Sequence, residues 1–163
     1  MKKIFKRIVG AVLTLCMVLS VSMTTYASEY PHNLGEIVDG SLLTDENFSE
    51  NILQNRERGN ILNSGVARIT DNGNGSVNAY GAVLPAVKCD KLRLEMTIQR
   101  LVGGSWANVK TYSDVAYNAS LLSKSYNYSV KGGYYYRVKA ACIATKGGTT
   151  ETQMPVTNGI WID

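Results

Sequence analysis

The chain has 163 residues, of which 45% are hydrophobic and 18% are charged, and its formal net charge is +4. This composition predicts one globular domain with a real hydrophobic core and leaves little room for a second domain. The excess of positive charge lies in the first seven residues, and without their four basic side chains 13 Lys and Arg face 13 Asp and Glu. We therefore expect no nucleic-acid partner.

Residues 1–27 have the three parts of a secretory signal peptide. A basic head, Met1 to Arg7, precedes a mostly apolar stretch, Ile8 to Met23, and Thr25-Tyr26-Ala27 places small residues at the two positions that a signal peptidase inspects. The alternative, a membrane-spanning anchor, needs about twenty uninterrupted apolar residues, whereas serines and threonines interrupt this stretch. The sequence predicts cleavage after Ala27, a secreted product and no stable membrane anchor.

Residues 28–60 are polar and poor in aliphatic side chains, so we expect a leader ahead of the domain. Thr44 or Asp45 is placed to cap a short helix that has acidic residues at its start, Arg56 and Arg58 at its end, and Gly59 just beyond it. The apolar edge of that helix would be Phe48 and Ile52 alone. The sequence predicts a short, marginal helix here, or a segment that becomes ordered only against the domain.

Residues 61–163 carry short extended runs separated by Gly, Asn and Ser, which is typical of antiparallel β proteins. In the first pair of runs, the stretch from Asp71 to Gly75 predicts a tight turn. A calcium loop is disfavoured there because the alternate ligand positions after Asp71 are glycines. The predicted strands are 66–70, 76–83, 87–100, 106–112, 126–130, 134–144, 149–154 and 159–162. This number and spacing predict a single antiparallel β-sandwich of immunoglobulin-like kind.

The strand from Tyr134 to Ala144 has two different faces. Its even positions, from Tyr134 to Ala144, share one face that we predict to be the domain core. Tyrosines just after the Gly132-Gly133 corner also resemble the tyrosine corner of immunoglobulin-like folds. The odd positions include Tyr135, Arg137 and Lys139. We predict that these three residues form an exposed binding surface, with Tyr135 as its aromatic contact.

Cys89 and Cys142 remain after removal of the signal peptide, and a secreted chain favours a disulfide between them. The bond would stabilise the fold by roughly 4 kcal/mol in the chain-entropy model. The alternation of Leu92, Leu94 and Met96 opposes it, because Cys89 then reaches the core only across a bulge or bend.

Residues suited to catalysis or to metal binding are scarce. The single histidine, His32, lies in the leader, and one His with two separated Cys does not supply a zinc site. No carboxylate pair can be assigned from sequence among Glu95, Asp114 and Glu151, as glycoside hydrolysis would require. We expect no metal, no cofactor and no enzymatic activity.

Five segments of the chain resemble one family: VDGSLLT (38–44), ITDNGNGSVNAYG (69–81), IQRLVGGSW (98–106), GGYYYRVKA (132–140) and the terminal NGIWID. They are similar to an uncharacterised family of small secreted proteins of Gram-positive bacteria, domain of unknown function 6147. The resemblance implies export and a single β-rich domain, with no assigned activity.

Together these observations predict a secreted, non-catalytic β-sandwich that binds cell-envelope glycan or an extracellular protein. The alternatives are a secreted antagonistic or signalling polypeptide that acts on other cells, and an extracellular hydrolase whose active site the sequence does not reveal.

Overall fold

The structure, a computed structural model, describes residues 34–55 and 61–163. In this part of the chain the regular secondary structure consists of β-strands alone. The strands are β1 (Ile37–Val38), β2 (Ser41–Thr44), β3 (Phe48–Gln54), β4 (Leu62–Gly73), β5 (Ser76–Pro85), β6 (Cys89–Val102), β7 (Ser105–Ala119), β8 (Leu122–Ser129), β9 (Tyr134–Lys146), β10 (Thr149–Gln153) and β11 (Gly159–Ile162).

These strands form two sheets. The larger sheet has seven strands in the order β1-β2-β11-β9-β6-β7, with β10 also paired to β9, and the smaller has four in the order β3-β4-β5-β8. Neighbouring strands are antiparallel except for β2 and β11, which run parallel. The predicted all-β sandwich is confirmed.

The main core lies between the two sheets, and β9 supplies its centre. The alternation predicted five residues that are fully buried here: Tyr136, Val138, Ala140, Cys142 and Ala144. Tyr134, which was predicted with them, is only partly buried against this core. Across the sandwich they face apolar residues of β4 and β5, and beside them on β6 lie Leu92, Leu94, Met96 and Ile98. Burial of these apolar surfaces is the main driving force for the fold.

The chain crosses from one sheet to the other between β8 and β9, at Gly132 and Gly133. The Tyr136 hydroxyl donates a 2.7 Å hydrogen bond to the backbone carbonyl of Lys131, five residues upstream. This is the geometry of a tyrosine corner. The corner is therefore confirmed, and Tyr136 is the residue that forms it.

Tight turns join the consecutive strands where glycines predicted them. Gly73, Asn74 and Gly75 all have positive φ between β4 and β5, and Gly103 and Gly104 have φ of 59° and 79° between β6 and β7. The Asp71 carboxylate accepts a 2.8 Å hydrogen bond from the Gly73 amide, so this aspartate stabilises the turn.

The short helix predicted after Thr44 is wrong, because Phe48–Gln54 forms strand β3 and pairs with β4 over its whole length. Strands β1, β2 and β3 all precede residue 61, so part of the predicted leader belongs to the sheets. The predicted signal peptide lies outside the described residues. No helix in the described ranges is long and apolar enough to cross a membrane.

Candidate functional site

The predicted disulfide between Cys89 and Cys142 is absent, and both residues are buried free thiols. In the β6–β9 pairing Cys142 lies opposite Leu94, five residues along β6 from Cys89. That offset separates the two cysteines by about 17 Å along the strands, whereas a disulfide requires Cα atoms about 4.4 to 6.8 Å apart. Each thiol instead donates a 3.3 Å hydrogen bond to a carbonyl, Cys89 to Val87 and Cys142 to Ala82.

The predicted binding surface on β9 is also wrong, because its leading residues are covered. Tyr135 and Arg137 are each only 3% exposed, and Lys139 is half-buried. Tyr135 belongs to a second apolar cluster with Leu43 and Leu101, on the outer side of the seven-stranded sheet. Its ring meets the Trp161 ring edge-on, with centroids 5.0 Å apart.

Arg137 joins β9 to the β1–β2 hairpin that covers it. Its guanidinium donates to the Gln99 side-chain oxygen at 2.8 Å, to the Ser41 hydroxyl at 3.0 Å, and to the carbonyl and carboxylate oxygens of Asp39 at 2.9 and 2.8 Å. It also stacks over the Trp106 ring, 4.4 Å from the centroid. Burial lowers the pKa of Arg137, and Asp39 opposes that shift. The residue therefore has a structural role and is closed to a ligand.

The three carboxylates considered for hydrolysis lie in different places. Asp114 accepts 2.9 Å hydrogen bonds from the Tyr126 hydroxyl, and its partner position on β6 is a core residue. Glu151 accepts from the Leu62 amide at 2.8 Å, and Glu95 forms an ion pair with Arg93. No carboxylate pair among these three faces a common space.

The outer face of the four-stranded sheet carries a network of amide and hydroxyl side chains. The Asn78 amide donates to Asn127 at 2.7 Å and to Ser125 at 2.9 Å, and the Ser125 hydroxyl can donate back to Asn78 at 3.1 Å. Asn72 donates to the same Asn127 oxygen at 3.2 Å. These groups largely satisfy one another, so the network is a cross-strand support for β5 and β8.

A different arrangement lies on the outer face of the seven-stranded sheet. In the strand register, Tyr117 of β7, Lys91 of β6, Thr145 of β9 and Thr150 of β10 are successive neighbours, which makes a row about 14 Å long. Tyr117 is 68% exposed, and the Lys91 ammonium is 5.9 Å from its ring centroid. The Thr145 and Thr150 hydroxyl oxygens are 3.0 Å apart. We call these four residues the Lys91 row.

A shallow depression of about 120 Å³ opens beside this row, lined by Lys91, Arg93, Ile143 and Thr145. Arg93 pairs with Glu95, whereas Lys91 makes no ion pair within the described part of the chain. The depression therefore combines an apolar floor, a hydroxyl group and one cation whose charge is not neutralised by a neighbour. It can accept a small anionic group.

The Lys91 row was missed in the sequence because its members come from four strands. Lys91 and Thr145 are 54 positions apart, and the β6–β9 register alone makes them neighbours. The one signal in the sequence was that Lys91 and Arg93 alternate with Leu92 and Leu94, which places the two basic side chains on the outer face of the strand.

Among residues 34–55 and 61–163, no three metal-binding side chains are grouped to hold an ion. The predicted candidate His32 lies outside these ranges.

Comparison with known proteins identifies the family of the chain. Residues 43–160 match the model of a family described as a family of unknown function, DUF6147. No curated protein and no solved structure matches the chain.

Proposed function

The chain belongs to the DUF6147 family of unknown function, and we propose from its own surface that it is a secreted, non-catalytic module that binds an anionic glycan of the cell envelope. The observation that carries the proposal is the Lys91 row, where an exposed aromatic ring, a cation and two hydroxyls follow one another across one open sheet face.

The members of the row match the chemical groups of a charged sugar. The apolar face of a sugar ring packs on an aromatic ring, and most of the Tyr117 surface is open for such a contact. The Lys91 ammonium supplies three hydrogen-bond donors for a phosphate or carboxylate group. The hydroxyls of Thr145 and Thr150 can donate to or accept from sugar hydroxyls. A short oligosaccharide that bears one anionic group would contact all four residues.

The small number of cations at the Lys91 row also favours a glycan over a nucleic acid as the ligand. One free cation and one ion-paired arginine do not provide the extended basic track that a phosphate backbone requires. Export, predicted from residues 1–27, would bring the protein to envelope polymers.

The test is binding of the purified protein to immobilised envelope polysaccharide, with an anionic polymer in one arm and a neutral one in the other. We expect retention on the anionic polymer that weakens as salt is added. The double substitution Lys91→Gln and Arg93→Gln should weaken binding at least tenfold, equivalent to about 1.4 kcal/mol.

The matched control is the double substitution Lys110→Gln and Lys131→Gln. It removes the same charge from two exposed lysines that lie outside the row and the depression, and binding should be retained. Equal loss of binding in both double variants would show that only net charge matters. Absence of binding to both polymers would reject the proposal.

A further inference from the structure

Strand β3 is an edge of the four-stranded sheet, and its outer side has no partner strand within residues 34–55 and 61–163. The backbone N–H of Asp71 donates to the backbone carbonyl of Asn47, and the backbone N–H of Asn55 donates to the backbone carbonyl of Asn63. In an antiparallel pair, hydrogen-bonded residues alternate along the strand. The backbone N–H and C=O groups of Phe48, Glu50 and Ile52 therefore point away from β4, toward the open side.

The other edges of the described sheets carry features that block strand addition, which natural proteins use against aggregation. Strand β1 has two residues, β7 has a register shift and turns the charged side chain of Asp114 inward, and β8 carries Lys124 beside that aspartate. Strand β10 is short and polar throughout.

Strand β3 has none of these features. Its seven residues contain no lysine, arginine or proline, and it pairs with β4 without a register shift. Phe48 is 53% exposed and Ile52 is 49% exposed, on the same outer face. The one charge of the strand, Glu50, accepts a 2.7 Å hydrogen bond from Arg68 of β4. A regular seven-residue edge that exposes two large apolar side chains on one face is a template for another strand.

We propose that β3 pairs antiparallel with β3 of a second copy of the chain, about a two-fold axis at Glu50. The sequence of the strand is self-complementary in this register, because Phe48 and Ile52 lie at equal distances on either side of Glu50. Each Phe48 then lies opposite Ile52 of the other copy, an aromatic and β-branched pair that stabilises sheets. The two Glu50 side chains meet between the two Arg68 guanidiniums, so the central group of four is neutral.

The pairing has a defined geometry. It joins two four-stranded sheets into one of eight strands, and an interface with two-fold symmetry closes at the dimer. Because antiparallel partners direct opposing side chains to the same face, both seven-stranded sheets lie on the same side of the joint sheet. The dimer would therefore present two Lys91 rows in one direction, which allows bivalent attachment to a polymer. The dimer itself does not depend on the proposed ligand.

The first test is the mass of the purified protein by sedimentation equilibrium over a range of concentrations. We expect a dimer in reversible exchange with monomer. Ile52→Lys should raise the dimer dissociation constant at least tenfold. Leu121→Lys should leave it unchanged, because Leu121 is similarly exposed at 54% but directly precedes β8, at the opposite edge of the four-stranded sheet. A monomer at all concentrations, an assembly larger than a dimer, or a dimer insensitive to Ile52→Lys would overturn the proposal.

The second test measures the register of the two β3 strands directly. It remains informative if the Ile52→Lys variant does not fold. In the proposed pairing the two residues at position 50 form a hydrogen-bonded pair with Cα atoms about 5.5 Å apart, within the range of a disulfide. Glu50→Cys should therefore give a covalent dimer on mild oxidation, much faster than Gln54→Cys. Equal rates for the two variants would contradict the register.

Discussion

The thiol of Cys142 is buried in the core, and the folded protein is more stable while this thiol remains protonated. Burial raises the pKa of this thiol from its ordinary value of 9.0 to about 11. Below pH 9 the thiol is protonated in both the folded and the unfolded chain, so its full contribution to the free energy of unfolding is present. Between about pH 9 and pH 11 only the folded chain retains the proton, and stability falls as the pH rises.

We predict that the free energy of unfolding decreases by roughly 2 to 3 kcal/mol from this thiol between pH 9 and pH 11. Denaturant unfolding at a series of pH values measures it. Cys142→Ala should be less stable at neutral pH because of the cavity, yet lose less stability over this alkaline range. Tyr112, Tyr126, Tyr135 and Tyr136 also have raised pKa values and remain in both proteins. Parallel pH curves for variant and wild type would contradict the assignment.

Arg137 illustrates how one buried cation can hold a hairpin onto a sheet. Replacement by alanine removes the hydrogen bonds to Asp39, Ser41 and Gln99, and it leaves space beside Trp106. We predict a loss of about 2 to 4 kcal/mol in the free energy of unfolding, measured by denaturant titration. Lys139→Ala, at a half-buried position on the same strand face, is the control and should cost less than about 1 kcal/mol. Similar losses in both variants would contradict this role.

At the scale of elements, the corner between β8 and β9 depends on one hydroxyl group. Tyr136→Phe removes the hydrogen bond to the Lys131 carbonyl and leaves the ring in the core. The partly buried Lys131 carbonyl then lacks that donor, so we predict a loss of about 1 to 2 kcal/mol in a thermal or denaturant unfolding experiment. Tyr117→Phe, on an exposed ring, should change stability by less than about 0.5 kcal/mol. A Tyr136→Phe protein as stable as wild type would show that the corner is held without this bond.

Alternation within a strand was enough to predict the inner face of β9 but not its outer face. The apolar even positions predicted a core, and those from Tyr136 to Ala144 are buried. Burial of Tyr135 and Arg137 depends on the β1–β2 hairpin, and Arg137 is 98 positions from Asp39. The sequence near β9 does not show that this hairpin covers the strand, so the odd positions were interpreted as a solvent-exposed face.

The error at β3 has a local cause. Ser49, an inward residue of this strand, is polar. Its hydroxyl accepts a hydrogen bond from the backbone N–H of Asn158, just before β11. A strand whose inner positions are polar does not show the apolar period of two. The acidic residues before it and the basic residues after it matched the charge order of a helix, whereas pairing with β4 decided the structure.

At the scale of the whole molecule, the sandwich was predictable because glycine turns and apolar alternation are local signals. The Lys91 row was not, because it requires the order and register of β7, β6, β9 and β10. The two outer sheet faces also differ in a way that sequence does not show. One holds amides that satisfy one another, and the other holds a cation without an ion pair in the described ranges.

The most direct test of the proposed function is an NMR titration of the isotope-labelled protein with soluble fragments of an anionic envelope polysaccharide, followed through the backbone amide signals. The proposal predicts saturable shifts centred on Lys91, Arg93, Tyr117 and Thr145, with little change around Asn78 and Asn127 on the opposite face. Shifts centred on Asn78 and Asn127, or no shifts at saturating fragment, would contradict it.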